Sequence, residues 1–510
     1  MQLQTTKAAA AFFAREPHNQ ELEGGPCGNF TSRNARRYIE GFDKFGLDRP
    51  LAKSHTLGYA CSIPMTKPDV IIIGAGAAGL CAAQVLSDAG CSVLILEARD
   101  RIGGRILTHH DPAFRTPLEL GAEFIHGRPQ VTWKLIRQAG LVAVDLPVDH
   151  RWRHRGRLSR MGDINATLNQ VMGGLARLGA ADMSFAQYLR THRNGPALAE
   201  ARRFAIHFVE GFDAADPERI SAKSLAQEEA GIGDLEDQTQ FRLVGGYSSL
   251  IDYLRKSLDP QRVKIRLRTP VSEIRWNKGK VKIAAAKSHG AAVPWTPRVI
   301  ITLPLGVFQI PPEMSGSIRF SPDIAAKRNA AARLASGPVV KAILQFSESF
   351  WDDPAVGGAA QAHQAMRDAA FMHLPAAAFP TWWTMRPLRL PILTAWAGGP
   401  KALALAGLSK RELREAAIDS LAALVKRRPR LLLSLLKHFE AYDWAGDPFA
   451  RGAYSYVTVG GASARSRLAQ PIQNTLFFAG EATDTSGQAS TVAGAISSGQ
   501  RAARELLAHR

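Results

Sequence analysis

Residues 69–105 read DVIIIGAGAAGLCAAQVLSDAGCSVLILEARDRIGGR. A short aliphatic run, 70–73, meets Gly74, Gly76 and Gly79. A helical apolar pattern then continues through Leu86, and SVLILE supplies a second strand ending at Glu97. This order predicts a βαβ unit with its G-x-G-x-x-G at the strand-to-helix turn. Gly74 permits the tight turn, Gly76 lets a pyrophosphate approach the backbone, and Gly79 lets helix and strand pack closely. The helix N-terminus turns its partial positive charge to the phosphates, and Glu97 is placed to hold ribose hydroxyls. Ala78 and Ala98, next to these positions, belong to the same predicted contact line. A bare glycine triplet is common by chance; the flanking strands, helix and acidic residue make this one specific for a dinucleotide.

The bulk numbers fit such a fold. The chain has 510 residues, 46% hydrophobic, with 44 Gly and 29 Pro, enough for two or three domains with a large core. The formal net charge of +19 draws it toward anionic surfaces and requires local negative or aromatic features wherever a cationic substrate enters. Cys27, Cys61, Cys81 and Cys91 form no C-x-x-C pair, so neither a disulfide framework nor a zinc site is expected, and a reducing compartment is the default. His109 and His110 lack a third ligand at metal spacing, so no metal is read. Residues 70–87 carry no charge, but their three glycines and the dinucleotide reading argue against a membrane span. Residues 1–64 lack a strand-helix rhythm and read as an N-terminal extension, with Met65 a natural start for a cytoplasmic enzyme.

The continuation EARDRIGGR decides between dinucleotides. Arg99, Gly103, Gly104 and Arg105 match the motif that follows the second strand in the flavin-dependent amine oxidase family, which includes monoamine oxidases, polyamine oxidases, L-amino-acid oxidases and histone demethylases. Further resemblances run to the C-terminus. ELGAEFIHG (119–127) resembles a flavin-contacting turn, with Gly121, Ala122, Glu123 and Phe124 as cofactor contacts. GGYSSLIDYL (245–254) resembles a helix start, and TPVSEIRW (269–276) a strand whose Val271 touches the adenine side. VIITLPLGVF (299–308) resembles the return strand. LFFAGEATDTSGQASTVAGAISSGQRAA (476–503) resembles the closing motif, where Gly480 and Glu481 end a strand and Thr491 and Val492 open a helix aimed at the flavin. The resemblance covers about residues 67–508 and implies FAD as cofactor.

Within SGPVVKAILQF (336–346) stands Lys341, in the middle of an otherwise apolar strand. Spacing alone suggests a lysine that snorkels to water. The resemblance identifies it instead with the family lysine beside flavin N5. In WAGDPFARGAYSYV (444–457), monoamine oxidases carry a cysteine that bonds the flavin; this chain has Ala453, so FAD is expected to be noncovalent. Tyr454 matches one wall of an aromatic cage and Thr491 the opposite wall, a pairing similar to the polyamine oxidase and demethylase branches. The long helical insertion of the demethylases is missing. Trp444 is a further pocket candidate. Trp382, Trp383 and Trp396 could shape the pocket or simply fill core, and His126 could touch substrate or be a satisfied core residue.

The expected fold is α/β. A discontinuous Rossmann-like FAD-binding domain of GR2 type is assembled from 65–150, 240–310 and 440–510. The substrate domain, a mixed sheet with helices, is drawn from 151–239 and 311–439. The implied reaction is hydride transfer from the carbon next to an amine nitrogen to flavin N5, imine hydrolysis to an aldehyde and an amine or ammonia, and reoxidation by O2 to H2O2. Related flavoproteins that desaturate carotenoids or oxidise porphyrinogens, and a non-catalytic flavin-bearing scaffold, are the alternatives. The partners expected are a small amine and O2. The basic run DHRWRHRGRLSR (149–160) reads as a solvent-facing hairpin rather than a nucleic-acid surface, and Pro429 in KRRPRLLLSLLKHF (426–439) as the point where one helix stops and another begins.

Overall fold

The run Val70–Ile73 forms the central strand of a parallel sheet, completely buried, as a strand covered on both faces must be. The computed structural model describes residues 67–509 apart from 113, 115, 148, 155–156, 161–163, 180, 234–238, 286–291, 315 and 353–367. The 1–64 extension, Met65, Cys27 and Cys61 lie outside the described residues. On one side of the central strand lies Val93–Leu96, then Val263–Arg266; on the other lies Arg298–Ile301, then Leu476–Phe478. Three of these five strands come from the segments quoted first and last in the sequence. Their parallel register aligns the strand ends at the turn that carries Gly74.

Sterics explain that turn. Gly74 has φ +106°, which side-chain-bearing residues rarely adopt, and a Cβ on Gly79 would lie 2.0 Å from the Gly74 carbonyl oxygen. Helix Ala77–Asp88 therefore starts directly against the strand. Helix Val492–Ala508 lies along it, so close that a Cβ on Gly499 would sit 2.2 Å from the Ala78 oxygen. Leu80, Leu86, Leu250, Ile496 and Leu506 fill the space between these helices, helix Ser248–Ser257 and the sheet.

A second, mixed sheet of seven strands carries the other half of the site. Its order is Leu436–Asp443, Val339–Phe346, Ile392–Gly398, Thr381–Thr384, Phe371–His373, His150–His154 and Arg157–Arg160. Neighbours are antiparallel except Phe371–His373 with His150–His154. Lys341 is the third residue of the strand that reads VVKAILQF. The 149–160 segment is a hairpin, but not a solvent-facing one: its first strand joins the sheet beside Phe371–His373, which buries His150 and Arg151, the latter paired with Asp149 at 2.7 Å. At 410–443 a helix ends at Val425, Lys426 takes a left-handed turn, and Pro429 opens the next helix, as expected. The segment then becomes strand Leu436–Asp443, which the sequence did not announce. Among the described residues no helix is long and apolar enough to cross a membrane, and Cys81 and Cys91 are buried free thiols.

Candidate active site

A single cavity of about 1210 Å³ runs from the glycine turn of the parallel sheet to the inner face of the mixed sheet. It exceeds the ~300–1,000 Å³ of an ordinary ligand pocket, room for a dinucleotide with a substrate beside it. At the glycine end, a Cβ on Gly76 would meet nothing within 4 Å, so this backbone is open to the cavity. Gly103 pairs with Gly76 and carries the chain past it, bringing Gly104 and Arg105 to the same wall as Ala78 and Ala98. Glu97 ends its strand here, accepting hydrogen bonds from the backbone N–H of Ala75 at 2.8 Å and of Arg99 at 2.9 Å. The carboxylate thus ties the two turns together while lining the cavity. Val271 lies on the same side. These open backbone groups and the fixed carboxylate fit a dinucleotide.

Two expected contacts differ in detail. The Arg99 guanidinium is fixed by Asp447 through two bonds of 2.8 and 2.7 Å, which orient it on the cavity wall and leave three of its five N–H donors outside that pair. Asp447 is in turn held below its ordinary range: burial pushes its pKa up, but Arg99 and Tyr442 prevail. Glu481 follows Gly480 with both oxygens engaged, by Arg105 at 2.8 Å and by the Ser455 hydroxyl at 2.7 Å. Burial opposes its ionisation, yet Arg105 and Arg465 keep its pKa depressed. Both residues line the cavity as buried ion pairs, a consequence of neighbours that only folding supplies.

Lys341 is only 1% exposed, which excludes snorkelling. Its Nζ donates to Glu123 Oε2 at 2.6 Å and to the Gly121 carbonyl at 3.2 Å. Glu123 Oε1 accepts two bonds from Arg242, at 2.6 and 3.0 Å, and one from Trp383 Nε1 at 3.1 Å. Burial raises the pKa of Glu123, but the two cations outweigh it and the carboxyl stays well below its usual range. A buried carboxylate with two cations and an indole donor is fully satisfied, the condition under which such charges persist in a core. The sequence reading took Glu123 as a cofactor contact. It lines the cavity with Gly121, Ala122 and Phe124, and its side chain anchors Lys341.

Aromatic residues close the chamber around the ammonium. Trp383 lies 5.3 Å from Lys341 Nζ and tilts against Trp396 at 5.8 Å. Tyr454 donates its hydroxyl to the Phe212 carbonyl at 2.7 Å, and burial together with Asp213 drives its pKa upward, so it stays a neutral phenol. Trp444 donates to the Leu120 carbonyl at 2.9 Å and tilts onto Tyr442. Thr491 lines the cavity, but its hydroxyl caps helix Val492–Ala508, accepting from Gly494 N–H and donating to Gln488 O. Val492 follows it on the wall. Of the three tryptophans left open by the sequence, Trp383 and Trp396 line the cavity and Trp382 is core. His126 lines it too, with Nδ1 buried and unbonded and its pKa lowered to about 4 by burial.

A sequence profile described as flavin containing amine oxidoreductase matches residues 77–507. The chain belongs to that family. It is therefore a flavin-dependent amine oxidoreductase, and the polyene and porphyrinogen alternatives are not favoured. Polyamine oxidase 2 of Arabidopsis thaliana is 29% identical over 489 residues, covering 90% of this chain and 92% of that one. Human lysine-specific histone demethylase 2 is 28% identical over 474 residues; the match covers 86% of this chain and about half, 53%, of the demethylase. Among solved structures, cyclohexylamine oxidase from Brevibacterium oxydans superposes with TM-score 0.70 at 22% identity, covering 87% of this chain and 99% of that one. A putrescine oxidase structure gives TM-score 0.70 at 21% identity with the same coverage. Those two likenesses establish the α/β fold with its Rossmann-like half.

Several residues of the oxidoreductase site escaped sequence reading. Arg242 stands inside the strand Gln240–Leu243, a buried charge in an apolar run like Lys341, and that signal could have found it. Arg465, bonded to the Ser455 hydroxyl at 2.6 Å, had no such signature. Nor did His150, His207 and His373, which line the far end of the cavity.

Proposed function

We propose that this chain is a noncovalent FAD enzyme that oxidises small amines with O2 as acceptor, working as a cofactor domain (65–150, 240–310, 440–510) and a substrate domain (151–239, 311–439). FAD, when bound, would supply the redox chemistry, a two-electron oxidation at the carbon bearing the amine nitrogen with O2 as final acceptor, so that the products are an aldehyde, ammonia or a smaller amine, and peroxide. The glycine turn, Glu97 and Arg105 hold the cofactor. Lys341, fixed by Glu123, sets an ammonium at the floor of the substrate chamber and orders water beside the reacting centre. Tyr454, Trp383 and Trp396 wall the chamber and exclude bulk water, which favours the neutral, reactive form of the amine.

The observation that carries the reading is the fully buried Lys341–Glu123 pair, 2.6 Å apart, facing the cavity that also reaches Gly76. Noncovalent attachment is supported by Ala453, and by the fact that neither described cysteine lines the cavity. The buried free thiols support a reducing, cytoplasmic setting. An amine substrate is supported by the curated relatives, polyamine oxidases and histone demethylases among them. Anaerobic addition of an amine panel is expected to bleach the flavin absorbance, with peroxide released on readmitting air. Bound flavin with neither bleaching nor peroxide from any amine would overturn oxidase function in favour of a scaffold. Acid precipitation should leave the yellow colour in the supernatant; colour in the pellet would overturn noncovalent binding.

A further inference from the structure

The chamber continues beyond Lys341 along a file of rings. Trp383 meets Phe371 at 6.2 Å, and Phe371 stacks on His150 at 4.6 Å and 12°. There the wall turns polar. His150 Nδ1 is 2.9 Å from His373 Nε2, and His373 Nδ1 is 3.3 Å from His207 Nε2. The Thr381 hydroxyl stands 3.4 Å from His373 Nδ1 and 3.5 Å from His207 Nε2. These four residues come from three strands and a helix, and all line the cavity that holds Lys341 and Tyr454.

The chemistry of that end follows from the chain of contacts. Each imidazole–imidazole hydrogen bond needs one N–H and one bare nitrogen, so a chain of three rings is satisfied when all three are neutral. Its protons can point either way along the chain, and the wall can adapt as donor or acceptor. Burial acts in the same direction, lowering His150 to about 3, His207 to about 4 and His373 well below its ordinary value. The formal charges that act on His150 and His207 are those of Arg151, itself paired with Asp149, and of Lys401. Of the carboxylates lining the cavity, Glu123 is answered by Lys341 and Arg242, Glu481 by Arg105, and Asp213 stands on the Tyr454 side, where its charge acts on that phenol. Glu97 and Asp484 hold backbone N–H groups of their own turns.

Resting on the amine-oxidase reading of this chamber, we propose that His150, His373, His207 and Thr381 form a subsite for an uncharged hydrogen-bonding group, a hydroxyl above all, at the far end of an amine with an apolar or aromatic middle. The same subsite turns away a second ammonium. A hydroxyl both donates and accepts and so meets either orientation of the imidazole chain. A distal ammonium offers only donors, loses its hydration on entry, and meets neutral rings that return no full negative charge. The preferred substrates are thus hydroxylated arylalkyl or long alkyl monoamines rather than diamines.

The test uses the full-length protein saturated with FAD and two matched series. One is phenethylamine with its para-hydroxy and para-aminomethyl derivatives; the other is n-octylamine with its terminal alcohol and terminal diamine. In the peroxide-coupled assay, kcat/KM of the hydroxylated member should exceed that of the parent by about tenfold, and the diamine should fall below the parent by about tenfold or more. In His207→Leu the hydroxyl preference should collapse toward parity, while His207→Gln, which keeps a donor and an acceptor, should retain it. A diamine that leads either series, or a hydroxyl without advantage in both, overturns the subsite while leaving amine oxidation standing. Failure of every amine to bleach the flavin removes the amine reading, and the subsite with it. Should His207→Leu fail to fold, the wild-type series alone decides.

Discussion

Gly74, Gly76 and Gly79 lie within a single strand-helix turn, whereas the charged cluster at the other end of the cavity is gathered from far apart. Glu123 is 119 residues from Arg242 and 218 from Lys341. The histidine wall is drawn just as widely, with 223 residues between His150 and His373. The glycine end is built from backbone shape, so its parts must be neighbours in the chain. The Lys341 end is built from side-chain charge and hydrogen bonding, so its parts need only be neighbours in space. The first tolerates little steric change at Gly74 or Gly79. The second tolerates shape change but not the loss of one charge partner.

Each half can be broken separately. The largest effect is expected from Gly79→Val, whose branched side chain would start 2.0 Å from the Gly74 carbonyl. The purified protein should be colourless, which its flavin-to-protein absorbance ratio would report; retained yellow colour would show that the turn yields more than its geometry allows. Next comes Glu123→Ala, which leaves Lys341 and Arg242 buried and facing each other without their anion. Urea unfolding should register a loss of about 3–5 kcal/mol, the cost of breaking a buried pair. A loss below about 1 kcal/mol would mean that water reaches this cluster.

Lys341→Met removes the ammonium while Arg242 still answers Glu123. Flavin should stay bound, and turnover should slow by about a hundredfold in stopped-flow measurements, comparable to the loss of a positioned proton-handling group. An unchanged rate would remove the role given to the lysine. Acidification tests the histidine wall more gently. His150 and His207 have folded pKa values of about 3 and 4, below the ordinary 6.5, so between those limits the unfolded chain binds more protons. Stability should therefore fall as pH drops from 6.5 toward 4, by up to about 1.4 kcal/mol per pH unit for each ring. His207→Gln should flatten that slope. Glu123, whose folded pKa is depressed, contributes stability above its ordinary value of 4.5 that is lost only as pH falls through its lower folded value.

The smallest effect is expected outside both regions. Ser409 caps helix Lys410–Val425 in a reciprocal box with Glu412, and Ser409→Ala should cost about 1 kcal/mol of unfolding free energy with unchanged turnover. A change in kcat there would mean that the comparison between cradle and chamber omits a coupling through the mixed sheet.

The glycine cradle is legible in the chain. The βαβ order, the glycines, Glu97 and the closing helix are local patterns, in which each residue's role follows from the backbone conformation of its immediate neighbours. The sequence also exposed Lys341, because an ammonium inside an apolar strand demands a partner. Folding alone named that partner as Glu123, paired Arg99 with Asp447 and Glu481 with Arg105, turned the 149–160 hairpin inward, and chained His150, His373 and His207. Buried charge and hydrogen-bond capacity must be satisfied by whatever the packed sheets bring within about 3 Å, and no periodicity along the chain encodes which distant residue that will be.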